Sequence, residues 1–119
     1  MLKYCQPLNK RKAMFISTGS DITYLHMAAL NNDIEEMKYQ LHHNADPNHA
    51  DNDGNTPLHY AAYRGHVKMI DMLLDNHAIT NTPNNQNQTP YDLAELNNNL
   101  GAMRMLRVEG KFQAKKFDF

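Results

Sequence analysis

Apolar positions in this 119-residue chain fall in short bursts at helical spacing, separated by polar stretches. Leu58, Ala61 and Ala62 stand at i, i+3 and i+4, and after Gly65 a second set follows at Val67, Ile70, Leu73 and Leu74. Residues three and four apart share one face of an α-helix, so each set predicts a helix with a single apolar stripe. The same two bursts occur upstream, as Leu25, Ala28 and Ala29 and then Ile34, Met37, Gln40 and Leu41. Downstream, Leu93 and Ala94 precede Leu100, Met103 and Leu106. Between the first two pairs, Ala45-Asp46-Pro47-Asn48 through Asp53-Gly54-Asn55 is polar, and its Asp-Gly step signals a turn. The pattern predicts helix pairs joined by polar loops and an all-α chain.

The pairs are copies of one unit. Thr56-Pro57-Leu58-His59 is answered by Thr23-Tyr24-Leu25-His26 and by Thr89-Pro90-Tyr91-Asp92, with the threonines 33 residues apart. A period of that size predicts a stacked array, because one such unit cannot bury its apolar faces alone. Thr23 suits an N-cap, where its hydroxyl accepts from a free backbone N–H of the first turn. Pro57 falls at the first helical position, where its missing N–H costs nothing. Gly65 marks the turn between helices, and Asn44 stands just past a helix end, a position that needs a left-handed residue. The small alanines of each first helix let neighbouring layers approach closely.

Thr56-Pro57-Leu58-His59-Tyr60-Ala61-Ala62-Tyr63-Arg64-Gly65-His66-Val67, followed by Leu73-Leu74, Ala78 and Asn81, closely resembles the ankyrin repeat. The first unit matches through Leu25-His26-Met27-Ala28-Ala29, Leu41 and Ala45-Asp46-Pro47-Asn48, and the third matches more loosely. The likeness covers Thr23 to Leu106. It implies an all-α ankyrin-repeat solenoid of stacked helix-turn-helix units with β-hairpin-like loops. It also implies that the motif threonine and histidine bond one another and nearby backbone. Partners are expected on the concave face, which is made of loop tips and first helices, and catalytic residues are not expected.

The expected organisation is an irregular N-terminal cap over 1–22, repeats over 23–55 and 56–88, a truncated capping repeat over 89–107, and a tail over 108–119. The cap reading rests on Met14, Phe15 and Ile16 beside the array. At the other end, Arg107 takes the place of Leu74, which the stripe predicts to be buried, so the expectation is a C-terminal cap with no further repeat packed outside it. Several positions depart from the family pattern. Asn32 and Asn98 stand where glycine is usual, as do Asn44 and His77 at helix ends; Asn87 replaces Gly54, and Asp92 replaces the motif histidine.

Composition narrows the function. A net charge of −1 provides no global attraction to nucleic acid or an anionic membrane. Lys10-Arg11-Lys12 and Lys115-Lys116 are too short for a nucleic-acid footprint. No run approaches the roughly 18 apolar residues of a membrane span, and the first residues lack the apolar region of a secretory signal. The single Cys5 excludes an intramolecular disulfide and fits a reducing compartment. The expectation is a cytoplasmic protein, although non-classical export to a host cell would leave no trace in these residues.

Seven histidines raise the question of metal. His26 and His59 are motif positions, and adjacent His42 and His43 point about 100° apart on a helix, so they cannot share an ion as an i, i+4 pair does. His49 and His66 lie in a loop and a turn. Ser17 and Ser20 sit in no nucleophile elbow, Glu35 and Glu36 read as solvated, and no Gly-rich phosphate loop exists. No cofactor, metal or catalytic residue is therefore expected.

The candidate partner-binding positions face outward on the concave side. They are Leu30 and Asn31 in the first repeat; His49, Asn52, Asp53, Asn55, Tyr63 and Arg64 around the second; and Asn85, Gln86, Gln88, Leu96 and Asn97 in the third. Leu30, Tyr63 and Leu96 share one register and could form an apolar strip. The tail aromatics Phe112, Phe117 and Phe119 read as part of a cap, with a partner-bound linear motif as the alternative. The expected function is a non-enzymatic protein-protein interaction module, monomeric when unbound. Alternatives are an inhibitor or immunity-type protein blocking an enzyme, a secreted effector recruiting a host protein, and a self-associating subunit.

Overall fold

The computed structural model describes residues 22–107. The cap residues Met14, Phe15 and Ile16, the lone Cys5 and the tail aromatics lie outside the described residues. Within them the elements are α1 (Tyr24–Asn31), α2 (Ile34–His42), α3 (Pro57–Arg64), α4 (Val67–Asp75), α5 (Pro90–Leu96) and a helix α6 over 100–107. The described residues contain no strand. α1 packs on α2 and α3 on α4, while α1, α3 and α5 form a contiguous row. This is the all-helical stack that the 33-residue period predicts.

Each first helix opens in the same way. Thr23, Thr56 and Thr89 are N-caps in extended backbone, and Pro57 and Pro90 follow at the start of their helices. The first helices contribute Leu25, Ala28, Ala29, Leu58, Ala61, Ala62 and Ala94 to the core, nearly all of them sealed from solvent. Alanine at these points keeps the rows close, and the larger side chains of the second helices fill the space behind.

The second helices depart in detail from the expected stripe. Met69, Ile70 and Leu73 are fully buried, whereas Val67 is 41% exposed and Leu74 only half-buried. At about 100° per residue, Met69, Leu73 and Ile70 span an arc of about 100°; Val67 lies some 60° beyond it and Leu74 about 40°. The third unit repeats the shift. Ala102 and Leu106 are buried and Leu100 is 62% exposed. Leu41 is half-buried, and Gln40 is also half-buried while its amide donates to Glu36 Oε2 at 2.8 Å. The exposed Arg107 therefore replaces a half-buried leucine rather than a core one.

Backbone chirality follows the period closely. The left-handed region holds Asn32 (φ 56°), Gly65 (75°) and Asn98 (57°) at the turn between paired helices. It also holds Asn44 (65°) and His77 (70°) past the second helices, and Gly54 (80°) and Asn87 (61°) at the loop tips. Asparagine is the least costly side chain to place there, and four of these seven positions use it beyond the two glycines. His77 is the costliest substitute.

Helix ends are closed by the following repeat. His66 Nδ1–H donates to Ala29 O at 3.0 Å, and Asn99 Nδ2 donates to Ala62 O at 3.0 Å and Tyr63 O at 2.8 Å. These carbonyls lie in the last turns of α1 and α3, where acceptors outnumber helical donors, and Ala62 O also accepts the C-cap Gly65 N–H at 3.1 Å. Layers are thus joined by hydrogen bonds as well as by apolar packing.

Two substitutions test this register. Leu73→Ala is expected to cost roughly 2–5 kcal/mol as a core truncation. His77→Gly is expected to raise stability by about 1 kcal/mol by relieving a left-handed histidine. Chemical denaturation midpoints measure both, and an unchanged Leu73→Ala would contradict the packing described.

Candidate functional site

The loop leading into α3 is folded around one carboxylate. Asp51 is buried, and its Oδ1 accepts the backbone N–H of Asp53 and of Asn55, each at 2.9 Å. Its Oδ2 accepts the hydroxyl of Tyr60 from α3. Burial, and after it this bond to the carboxylate, pushes the Tyr60 phenol well above its usual range. One period on, Asn84 repeats the turn: its Oδ1 accepts from Gln86 N and Gln88 N, both at 2.9 Å. Its amide then reaches back to Asn55 Oδ1 at 2.9 Å, a bond no carboxylate could donate.

The two loops are stitched edge to edge. Asn85 N donates to Asp53 O at 2.9 Å, and Asn85 Nδ2 donates to Asn52 O at 2.9 Å. Gly54 sits in that seam. A Cβ there would come within 2.8 Å of Asn85 N, so the close approach needs glycine as much as the φ does.

The motif histidines tie each first helix to the end of the loop that leads into the next first helix. His59 Nδ1 faces Thr56 N at 3.0 Å, and its Nε2 faces Gln88 O at 2.9 Å. A backbone N–H requires an acceptor and a carbonyl requires a donor, so the ring is the neutral Nε2–H tautomer. His26 does the same with Thr23 N at 3.1 Å and Asn55 O at 2.8 Å. Asp92 keeps the local half of the arrangement, accepting from Thr89 N at 3.0 Å while Thr89 Oγ1 accepts from its N–H at 3.2 Å. A carboxylate cannot make the forward bond. Burial lowers the His59 pKa from the ordinary 6.5, against the opposing pull of the Gln88 carbonyl and of Asp51 and Asp92.

Between the second and third repeats these parts enclose a concave recess of about 310 Å³. Its wall brings together Asp53, Asn55, Tyr63, Asn85, Gln86 and Gln88 from the expected set. It also includes Tyr60, Asn84, His59 and Leu93, which the sequence did not single out as a site. The 33-residue match of Asn84 to Asp51, each opening a tight polar turn, was the available signal for one of these.

The remaining candidates fall elsewhere. His49 is half-buried in another hollow with Thr23 and Leu25, its ring edge-on to His26 at 6.0 Å. Asn31, Asn52 and Arg64 are exposed and Leu30 is half-buried. Leu96 is 67% exposed and Tyr63 43%, so the register of Leu30, Tyr63 and Leu96 does present apolar surface to solvent. Several polar candidates serve the scaffold. Asn97 Nδ2 donates to Tyr63 O at 2.7 Å, Asn55 accepts from both His26 and Asn84, and Gln88 accepts from His59 and Asn84. Among the described residues no three His, Cys, Asp or Glu side chains converge as a metal site, and no helix is long and apolar enough to cross a membrane.

Residues 25–116 match a family model described as ankyrin repeats, in three copies. A search of curated proteins returned no match.

The histidine geometry predicts a pH dependence. Because the folded pKa of His59 lies below its unfolded value, the unfolded chain takes up a proton first as pH falls. This stabilisation is complete above the unfolded value and is lost as pH falls through the folded one. The melting temperature should therefore fall as pH drops below about 6.5, and the His59 ring resonance should titrate below that value. An NMR titration midpoint at or above that value would contradict the buried neutral ring.

Proposed function

The chain belongs to the ankyrin-repeat family, whose members are generally protein-protein interaction modules, and we propose that it binds a protein partner through the face formed by loop tips and first helices. The observation supporting this reading is the register of half-buried Leu30 with exposed Tyr63 and Leu96, of which Tyr63 also borders the recess between the second and third repeats. Scattered surface leucines mean little. Here they recur in successive layers with a tyrosine between them and an arginine next in sequence, and tyrosine and arginine are enriched at binding hot spots.

The scaffold under this surface is stiff. Asn97 and Asn99 hold the Tyr63 carbonyl, and the loops are bonded to one another through Asn85. A preorganised face loses less conformational freedom on association than a mobile one. The polar candidates that hydrogen-bond the scaffold shape the surface, while Tyr63, Arg64 and Leu96 supply side chains directed outward.

Replacing Tyr63 and Arg64 together by alanine should abolish partner capture in an affinity pull-down read by mass spectrometry. Both side chains are exposed, so stability should change by no more than about 1 kcal/mol. Capture that survives the double substitution would move the interface off this face.

A further inference from the structure

We infer that the recess between the second and third repeats receives a basic side chain, lysine or arginine, of the protein partner. This rests on the reading that this face binds a protein. Asp53 carries the formal charge of the wall. No lysine or arginine lines the recess, and His59 is neutral with both ring nitrogens engaged. The Asp53 carboxylate is exposed and has no hydrogen-bond partner among the described residues.

Its backbone, however, is held on both sides: its N–H by Asp51 Oδ1 and its carbonyl by Asn85 N, each at 2.9 Å. The charge is therefore presented from a fixed turn rather than a loose tip, which lowers the entropic cost of pairing. The buried Asp51 carboxylate behind it adds negative potential, and its own oxygens are already engaged by protein donors.

The rest of the wall suits the same occupant. The Tyr63 ring borders the recess and is 43% exposed, offering a face to a cation. The exposed Gln86 adds a side-chain carbonyl acceptor. Asn84, by contrast, is consumed by the loops, with its oxygen on Gln86 N and Gln88 N and its amide on Asn55 and Gln88. The volume of about 310 Å³ sits at the bottom of the range for ligand clefts, room for one long side chain and not for a large ligand.

The test uses acetyl-arginine methylamide, with the citrulline analogue as a neutral control of the same shape, followed by NMR at low salt. The arginine compound should shift the Asp53 and Gln86 amides and the Tyr63 ring, and the citrulline compound should not. Asp53→Asn, at an exposed side chain, should keep the fold and weaken the response about tenfold, the loss of one hydrogen bond to a charged group. An equal response to citrulline, no response to arginine, or an unchanged response in Asp53→Asn overturns the inference. Partner capture separates it from the broader reading. Capture lost in the Tyr63/Arg64 double variant but kept in Asp53→Lys overturns the basic-side-chain assignment alone, capture kept in the double variant overturns both readings, and capture lost in both variants together with the arginine-specific shifts supports the assignment.

Discussion

A neutral imidazole wedged between a threonine N–H and a carbonyl of the next loop is the interaction on which the stack depends. Helix pairs of this size cannot bury both apolar faces by themselves, so each must be registered against a neighbour before its core is complete. His26 and His59 set that register with two bonds of opposite sense, accepting from the start of their own helix and donating to Asn55 O or Gln88 O, at the end of the loop that leads into the next first helix. Both rings are fully buried, so losing either bond leaves a polar group without solvent to replace it. The alanine rows fit only once this spacing is imposed.

Around these bolts, the loops form a continuous polar seam. Asp51 and Asn84 occupy the same place and make the same turn with chemically different heads. The carboxylate accepts from Tyr60 and so anchors its loop to the helix behind it. The amide donates sideways to Asn55 and so anchors its loop to the preceding repeat. The recess inherits its polarity from this difference, with Asp53 left at its edge.

The helix pairs and the 33-residue register were legible in the residues, because caps and apolar spacing are local signals; the left-handed Asn32, Asn98 and His77 were marked only by the glycines of the repeat pattern that the chain resembles. Val67 and Leu100 were misplaced for a physical reason: a stripe read at i, i+3 and i+4 has two edges, and the spacing alone does not say which edge meets the neighbour. The recess was legible only in part. Tyr63, Asp53 and Gln86 stood out as outward-facing positions of the concave side, but Asn84 and Tyr60 did not, since their roles depend on bonds across repeats. Asn97 looked like free surface because no sequence signal identifies which backbone carbonyl an amide will cover.

Asp92 gives the stack a direction. Histidine at this place has a hand to offer forward, whereas aspartate closes its own turn and offers nothing beyond it. The repeats are therefore not interchangeable bricks. A duplicate of the second unit could be inserted behind itself and still clasp its successor, but the third unit moved to an interior slot would leave the following loop carbonyl unclaimed. Rearrangement of such a chain by duplication or shuffling is constrained by one side chain per unit, long before the apolar core enters the question.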